Sequence, residues 1–165
     1  MHVAVYAGTF DPITLGHLSV IERSVEIFER TVVLVAINPG KTPLFSGDER
    51  LDFIRDATRR LSSVEAASTT GLVVDFARSI GARFLVRGIR GASDADYEAE
   101  LARQNRELAS EIQSIFLPAD RELSAVSSSG LKELARAGRD VSAYCTPLVA
   151  RSLGAQLRAS KGDHV

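Results

Sequence analysis

The chain has 165 residues, 45% hydrophobic and 25% charged, with 12 Gly and 5 Pro, an ordinary globular composition that excludes collagen-like, low-complexity and disordered classes. Lys and Arg number 20 against 21 Asp and Glu, so with a net charge of −1 no global field recruits nucleic acid or an anionic membrane, and an anionic ligand must be held by a local cluster. Cys145 is alone, the histidines His2, His17 and His164 are far apart, no apolar run reaches the ~20 residues of a membrane span, and no signal-peptide pattern opens the chain. One cytoplasmic domain over residues 1–160 is expected, with a frayed polar tail at 161–165.

In chain order, residues 3–6 read as a buried strand that meets a loop at Ala7-Gly8. Leu18, Ile21, Val25 and Phe28 then recur at helical spacing, which predicts an amphipathic helix from Leu15. Residues 31–37 are continuous and β-branched, the pattern of a strand buried on both faces, and Asn38-Pro39-Gly40 ends it. Ser46 and Glu49 have capping-box spacing ahead of a second helix. A weaker strand at 64–67, a short helix at 72–80 stopped by Gly81, a strand at 83–86, a charged helix at 94–108 and a strand at 114–117 follow. Two helices finish the chain, one from Ser127 to near Gly138, the other with Thr146 as N-cap and Pro147 in the first turn. Strands alternating with helices, without two-residue hairpins, predict five parallel strands wrapped by helices on both faces. Ligands of such sheets sit at the carboxyl ends of the strands.

Four loops leave those ends. The first, Gly8-Thr9-Phe10-Asp11-Pro12-Ile13-Thr14-Leu15-Gly16-His17, is neither a Walker A loop nor a dinucleotide fingerprint. It places a hydroxyl and a histidine at a helix start, where unpaired N–H groups attract phosphate and disfavour a protonated imidazole. The same residues equally suit a plain surface helix start capped by Thr14. The second loop carries Lys41 between Pro39 and Pro43, which on its own reads as a solvated charge. The third, Arg87-Gly88-Ile89-Arg90, offers two guanidinium groups suited to bidentate phosphate binding, with glycine for a close ligand approach. Those arginines could instead answer Asp94, Asp96 and Glu98 as surface ion pairs. The fourth brings Ser127, Ser128 and Ser129 to a helix start, as caps or as phosphate donors. Each feature is modest alone; at one edge of one sheet they point to a polyphosphate substrate.

The Gly8-to-His17 loop, Lys41-x-Pro43-Leu44-Phe45, Arg87-Gly88-Ile89-Arg90, Asp96-Tyr97-Glu98 and Ser127-Ser128-Ser129, in this order and spacing, resemble the bacterial phosphopantetheine adenylyltransferases. Thr14-x-Gly16-His17 alone would identify only the wider nucleotidyltransferase superfamily. The resemblance implies a Rossmann-like, doubly wound α/β fold, ATP with Mg2+, 4′-phosphopantetheine as acceptor of AMP, a homohexamer, and feedback inhibition by coenzyme A. It implies ATP-binding positions at Thr9, Phe10, His17, Gly88, Ile89, Arg90, Glu98, Leu123, Ser124, Ala125, Val126, Ser127, Ser128 and Ser129. Acceptor positions fall on Thr9, Lys41, Val73 and Arg87, with Tyr6, Tyr97 and Asn105 nearby. Catalysis would rest on His17 as transition-state stabiliser, with Thr9, Lys41 and Arg90. Ala7, Ala95, Leu123 and Ala125 stand where that family commonly has proline or larger apolar groups, which weakens the expected hold on the adenine side.

A phosphate acceptor is already anionic at neutral pH, so direct in-line attack needs no covalent enzyme intermediate and no strong base. Two other readings share these loops: a transferase with a different phosphate acceptor, and a nucleotide sensor without turnover.

Overall fold

The computed structural model describes residues 2–162. Within them lie five strands, β1 (Val3–Gly8), β2 (Arg30–Ala36), β3 (Val64–Thr69), β4 (Phe84–Ile89) and β5 (Gln113–Pro118). They alternate with α1 (Leu15–Val25), α2 (Gly47–Thr58), α3 (Val73–Ser79) and α4 (Ala92–Leu108), and α5 (Ser128–Arg136) and α6 (Pro147–Gly162) close the fold. All strand pairs are parallel, in the order β3-β2-β1-β4-β5. The chain winds outward from β1 to β3, then crosses to the other side of β1 for β4 and β5. The loops after β1 and β4 therefore part in opposite directions, which opens a crevice at this switch point.

Both faces of the sheet are covered, as the unbroken apolar strands require. Alternate residues of β1 divide between two cores. Ala4 and Tyr6 join Val33, Val35 and Val86 under α1, α2, α5 and α6. Val3, Val5 and Ala7 join Val32, Leu34 and Leu85 on the α3 face, with Val74 and Ala77. The helix punctuation follows the side chains. Ser46 and Glu49 form the expected reciprocal box at α2, and the Thr146 hydroxyl accepts the Val149 N–H at the start of α6. Gly81 and Gly138 both have φ of +69° just after α3 and α5, the left-handed turn that glycine makes at little cost.

Several boundaries differ from the sequence expectation, most by one or two residues. β4 runs to Ile89 because its ladder with β5 continues through Arg87, Gly88 and Ile89, opposite Phe116, Leu117 and Pro118. Arg87 is thus a strand residue, not part of a loop. β3 reaches Thr69 because Val35 and Ala36 of β2 supply partners for Ser68 and Thr69. α6 runs to Gly162; the rest of the tail expected to fray, residues 163–165, lies outside the described residues. No helix among the described residues is long and apolar enough to cross a membrane.

Candidate active site

The turn into α1 is organised by Thr14 and His17. The Thr14 hydroxyl accepts the His17 N–H at 3.3 Å, while Nδ1 of His17 accepts the Thr14 N–H at 3.0 Å and lies 3.1 Å from the Thr14 hydroxyl. This is a capping box with histidine in the place usually held by Glu or Gln. Because Nδ1 accepts, the neutral ring carries its proton on Nε2. Burial, then the nearby Arg90 and Arg87 guanidinium groups, hold the imidazole down to about 4. His17 is thus a neutral donor, as the sequence suggested, with burial and two cations as the cause. The Leu15 N–H is bonded to the Tyr144 carbonyl at 2.8 Å, so the first turn offers a phosphate fewer vacant donors than expected. Gly16 is required for packing: a Cβ there would come within 2.9 Å of the Ser124 Cα.

The preceding residues are pinned from three sides. Phe10 has φ of +48°, a conformation costing roughly 1–3 kcal/mol for a bulky residue. Its ring is 3% exposed and meets Tyr6 and His17 edge-on at 5.3 and 5.1 Å. Buried Arg50, from α2, donates to the Thr9 carbonyl at 3.0 Å. The Asp11 carboxylate accepts N–H bonds from Leu44 and Phe45 and an ion-pair bond from Lys132. Burial alone would raise that carboxyl, but these donors outweigh it and hold it below the ordinary range. Ser128, at the start of α5, donates to the Pro12 carbonyl at 2.8 Å.

The opposite wall comes from β4 and α4. Arg87 donates to both Glu98 oxygens, at 2.7 and 2.9 Å, and to the Ala7 carbonyl at 2.7 Å. Arg90 reaches Asp94 at 3.3 Å from the more exposed end of the helix. Both arginines are therefore matched to α4 carboxylates, and the ion-pair reading holds for Asp94 and Glu98. Burial pushes the Tyr6 hydroxyl well above its ordinary range, against the opposing pull of the Arg87 and Arg90 guanidinium groups, so it stays protonated. Tyr6 also fills, with Val20, the space beside Gly88: a Cβ there would sit 2.9 Å from Val20 and 3.3 Å from the Tyr6 oxygen. The glycine thus admits a helix side chain where the sequence suggested a ligand.

These walls enclose a cavity of about 440 Å³ at the β1/β4 switch point, within the usual range for a small-molecule site. Of the positions singled out from the sequence, Thr9, Phe10, His17, Arg87, Gly88, Arg90 and Glu98 line it. So do Tyr6, Tyr97, Ser124, Val126, Ser127, Ser128 and Ser129. Ile89, Leu123, Lys41, Val73 and Asn105 are not among its lining residues, and Ala125 lines a shallow groove beside it along α5. Lys41 is exposed on the loop after β2, and Val73 is half-buried at the start of α3. Thr14, Ser93 and Asp94 also line the cavity. Asp11, Arg50 and Lys132 support it from behind. Sequence reasoning passed over these three because a carboxylate and two cations scattered over 120 residues have no local spacing that pairs them.

Residues 5–134 match the cytidylyltransferase-like family model. A phosphopantetheine adenylyltransferase from Heliobacterium modesticaldum is 46% identical over 149 residues, covering 90% of this chain and 89% of that protein. The fold is also that of a Vibrio parahaemolyticus protein provisionally assigned as a nicotinate-nucleotide adenylyltransferase, at TM-score 0.70 and 20% identity, over 93% of this chain and 99% of that one. Nicotinic acid mononucleotide adenylyltransferase from Plasmodium falciparum, solved with NaAD, aligns at TM-score 0.65 and 13% identity over 91% of this chain and 93% of that one. Sequence and fold agree, and the chain belongs to the cytidylyltransferase-like nucleotidyltransferases and, within them, to the phosphopantetheine adenylyltransferase family.

Proposed function

We propose that this protein transfers AMP from ATP to 4′-phosphopantetheine, giving dephospho-coenzyme A and pyrophosphate in coenzyme A synthesis. The observation that carries the reading is His17: a neutral imidazole, its Nδ1 occupied and its Nε2 protonated, lining a cavity at the switch point of the sheet. An oxygen of the acceptor phosphate attacks the α-phosphorus of ATP, a new P–O bond forms, and the bond to the leaving pyrophosphate breaks. Nε2–H of His17 donates to an α-phosphate oxygen as charge grows there. Thr9 orients the attacking phosphate, Lys41 and Arg87 hold it, and Arg90 with the Ser127–Ser129 turn holds the ATP phosphates. For Arg87 this means sharing its guanidinium between Glu98 and the incoming anion.

Magnesium enters this scheme as part of the substrate, bound to ATP. No group of three or more His, Cys, Asp or Glu among the described residues is placed to hold a metal. The cavity carboxylates Asp94 and Glu98 are both engaged by arginines. The same reading includes feedback inhibition by coenzyme A, a cytoplasmic location and a homohexamer. For the last, exposed Tyr97 and Leu108 on α4 and Phe116 on β5 offer apolar surface, and light scattering in solution measures the assembly directly.

The test is pyrophosphate release from Mg·ATP with a panel of phosphate acceptors. Release with 4′-phosphopantetheine well above that with nicotinate mononucleotide or glycerol phosphate is expected. Release confined to another acceptor would reassign the substrate, and ATP binding without release from any acceptor would make the protein a sensor.

A further inference from the structure

Asp11 lies in the first loop but outside the cavity lining, 5% exposed, with both carboxylate oxygens spoken for. One oxygen accepts the Phe45 N–H at 2.9 Å; the other accepts the Leu44 N–H at 2.8 Å and the Lys132 ammonium at 3.0 Å. A carboxylate so occupied has no lone pair well placed to take a substrate proton, and it faces no reactant. What it does have is three partners on two separate segments. Leu44 and Phe45 close the loop that carries Lys41, and Lys132 belongs to α5, whose first turn carries Ser128 and Ser129. Asp11 itself follows Thr9 by two residues and precedes His17 by six. One buried side chain thus joins three of the four segments assigned above to substrate phosphates.

The Lys41 loop has little else to set its position. Its turn is closed by the Lys41 N–H on the Asn38 carbonyl and by the Gly40 N–H on the Asn38 side chain, both contacts internal to the loop. At its far end, Phe45 is 1% exposed and packs edge-on against Phe53 at 4.9 Å, and Gln156 donates to the Leu44 carbonyl at 3.4 Å. The bonds that tie this loop to the Thr9–His17 turn are the two that Asp11 receives. Charge-assisted bonds of this kind are the stronger class, and a positioning error of about 1 Å in such a site can cost about 10²-fold in rate.

We infer that Asp11 is a positioning residue for the acceptor, clamping the Lys41 loop to the Thr9–His17 turn so that the acceptor phosphate meets the α-phosphorus in line. This rests on the function proposed above and adds a residue to it that never touches substrate.

The experiment is a double-mutant cycle of Asp11→Asn and Lys41→Ala, read as the dissociation constant of 4′-phosphopantetheine by calorimetry and as steady-state kinetics with each substrate varied. A residue acting through Lys41 gives strongly non-additive losses. Lys41→Ala is expected to weaken acceptor binding about 30-fold, Asp11→Asn about 10-fold, and the double variant no more than about twofold beyond Lys41→Ala. The ATP dissociation constant should stay within about twofold of wild type in Asp11→Asn. Additive losses, or an equal loss of ATP affinity, would overturn the inference by making Asp11 a general structural residue. If thermal melts show Asp11→Asn unfolded, Lys132→Met, which keeps both backbone bonds to Asp11, takes its place; a smaller acceptor-selective loss, again non-additive with Lys41→Ala, is expected, and additivity overturns. Wild-type enzyme that neither binds nor turns over 4′-phosphopantetheine would sink the functional reading and this inference together. Normal wild-type turnover with additive losses would sink this inference alone.

Discussion

On the α1 side of the cavity the polar groups are held mainly by the backbone, and on the α4 side mainly by other charges. His17 is tied to Thr14 by reciprocal bonds, and its turn is backed by Arg50 on a carbonyl and by Asp11 on two N–H groups. Arg87 and Arg90 instead face Glu98 and Asp94, with one Arg87 nitrogen anchored on the Ala7 carbonyl and its other contacts on the carboxylate. A polyanion cannot readily displace a backbone carbonyl or N–H from a buried loop, but it can compete with a carboxylate for a guanidinium. In the proposed reaction the α1 wall is thus preorganised for charge that grows at the α-phosphate, while the α4 wall exchanges one anion for another on binding.

The sharpest separation of the two walls is His17→Ala. Removing one preorganised donor costs about 3–4 kcal/mol of barrier, or 10²–10³ in rate. Turnover should fall by that factor while the ATP dissociation constant changes by less than about threefold. Stopped-flow or steady-state kinetics beside calorimetry would show it; equal losses in both would place His17 on the binding side and erase the contrast.

Next in size is acid sensitivity, which probes the same imidazole without removing it. The ordinary imidazole titrates at 6.5 and the folded one at about 4. Between those values the unfolded chain binds the proton and the folded chain does not. Stability is then full above pH 6.5 and falls as pH drops toward 4, by at most about 3 kcal/mol. Asp11, held below its ordinary value, adds a further loss as pH falls through its folded titration. Denaturant titrations at pH 7 and 4.5 should show the decline in wild type and a shallower one in His17→Gln. A flat profile in wild type would mean that the ring is hydrated and the α1 wall less closed than its contacts indicate.

Glu98→Gln tests the α4 wall. It removes the charge that answers Arg87 in a pair that is 24% and 10% exposed at its two side chains. Breaking a buried pair costs 3–5 kcal/mol, and this degree of solvent contact brings the expected loss to about 2 kcal/mol. The uncompensated guanidinium should then seek another anion, so inorganic phosphate should raise the melting temperature of Glu98→Gln more than that of wild type. An equal phosphate shift in both would mean that Arg87 is not an exchangeable anion site.

The two walls were also unequally legible in the sequence. Thr14-x-Gly16-His17 and the Ser127 cap could be read locally, because capping depends on residues three apart along one segment. The strand-helix alternation likewise exposed the fold, since periodicity is a local property. Sequence alone ends the strand before Arg87 because the following Gly88 is a weak strand former; only the ladder to β5 extends the strand through them. The partition of Arg87 and Arg90 between carboxylates and substrate stays open at the level of sequence, since spacing cannot choose between two anions. The clamp at Asp11 was out of reach for a different reason: its partners are 33, 34 and 121 residues away, and only the folded chain brings them together.

The smallest expected effect is that of Asp94→Asn, and it separates stability from binding within the α4 wall itself. Arg90, just past β4, and Asp94, in the first turn of α4, are 47% and 27% exposed and meet at 3.3 Å. Exposed pairs of this kind contribute about 0–1 kcal/mol. The Asp94 side chain also accepts the Arg90 N–H at 3.2 Å, an acceptor role that the Asn amide oxygen preserves. The melting temperature should therefore move by no more than a degree or two. The Arg90 guanidinium, relieved of its competitor, should bind the triphosphate slightly better, read as a two- to threefold lower KM for ATP. A melting point that drops as far as in Glu98→Gln would show that the outer end of α4 is braced as firmly as the inner, and the exchange of anions would then be confined to Arg87.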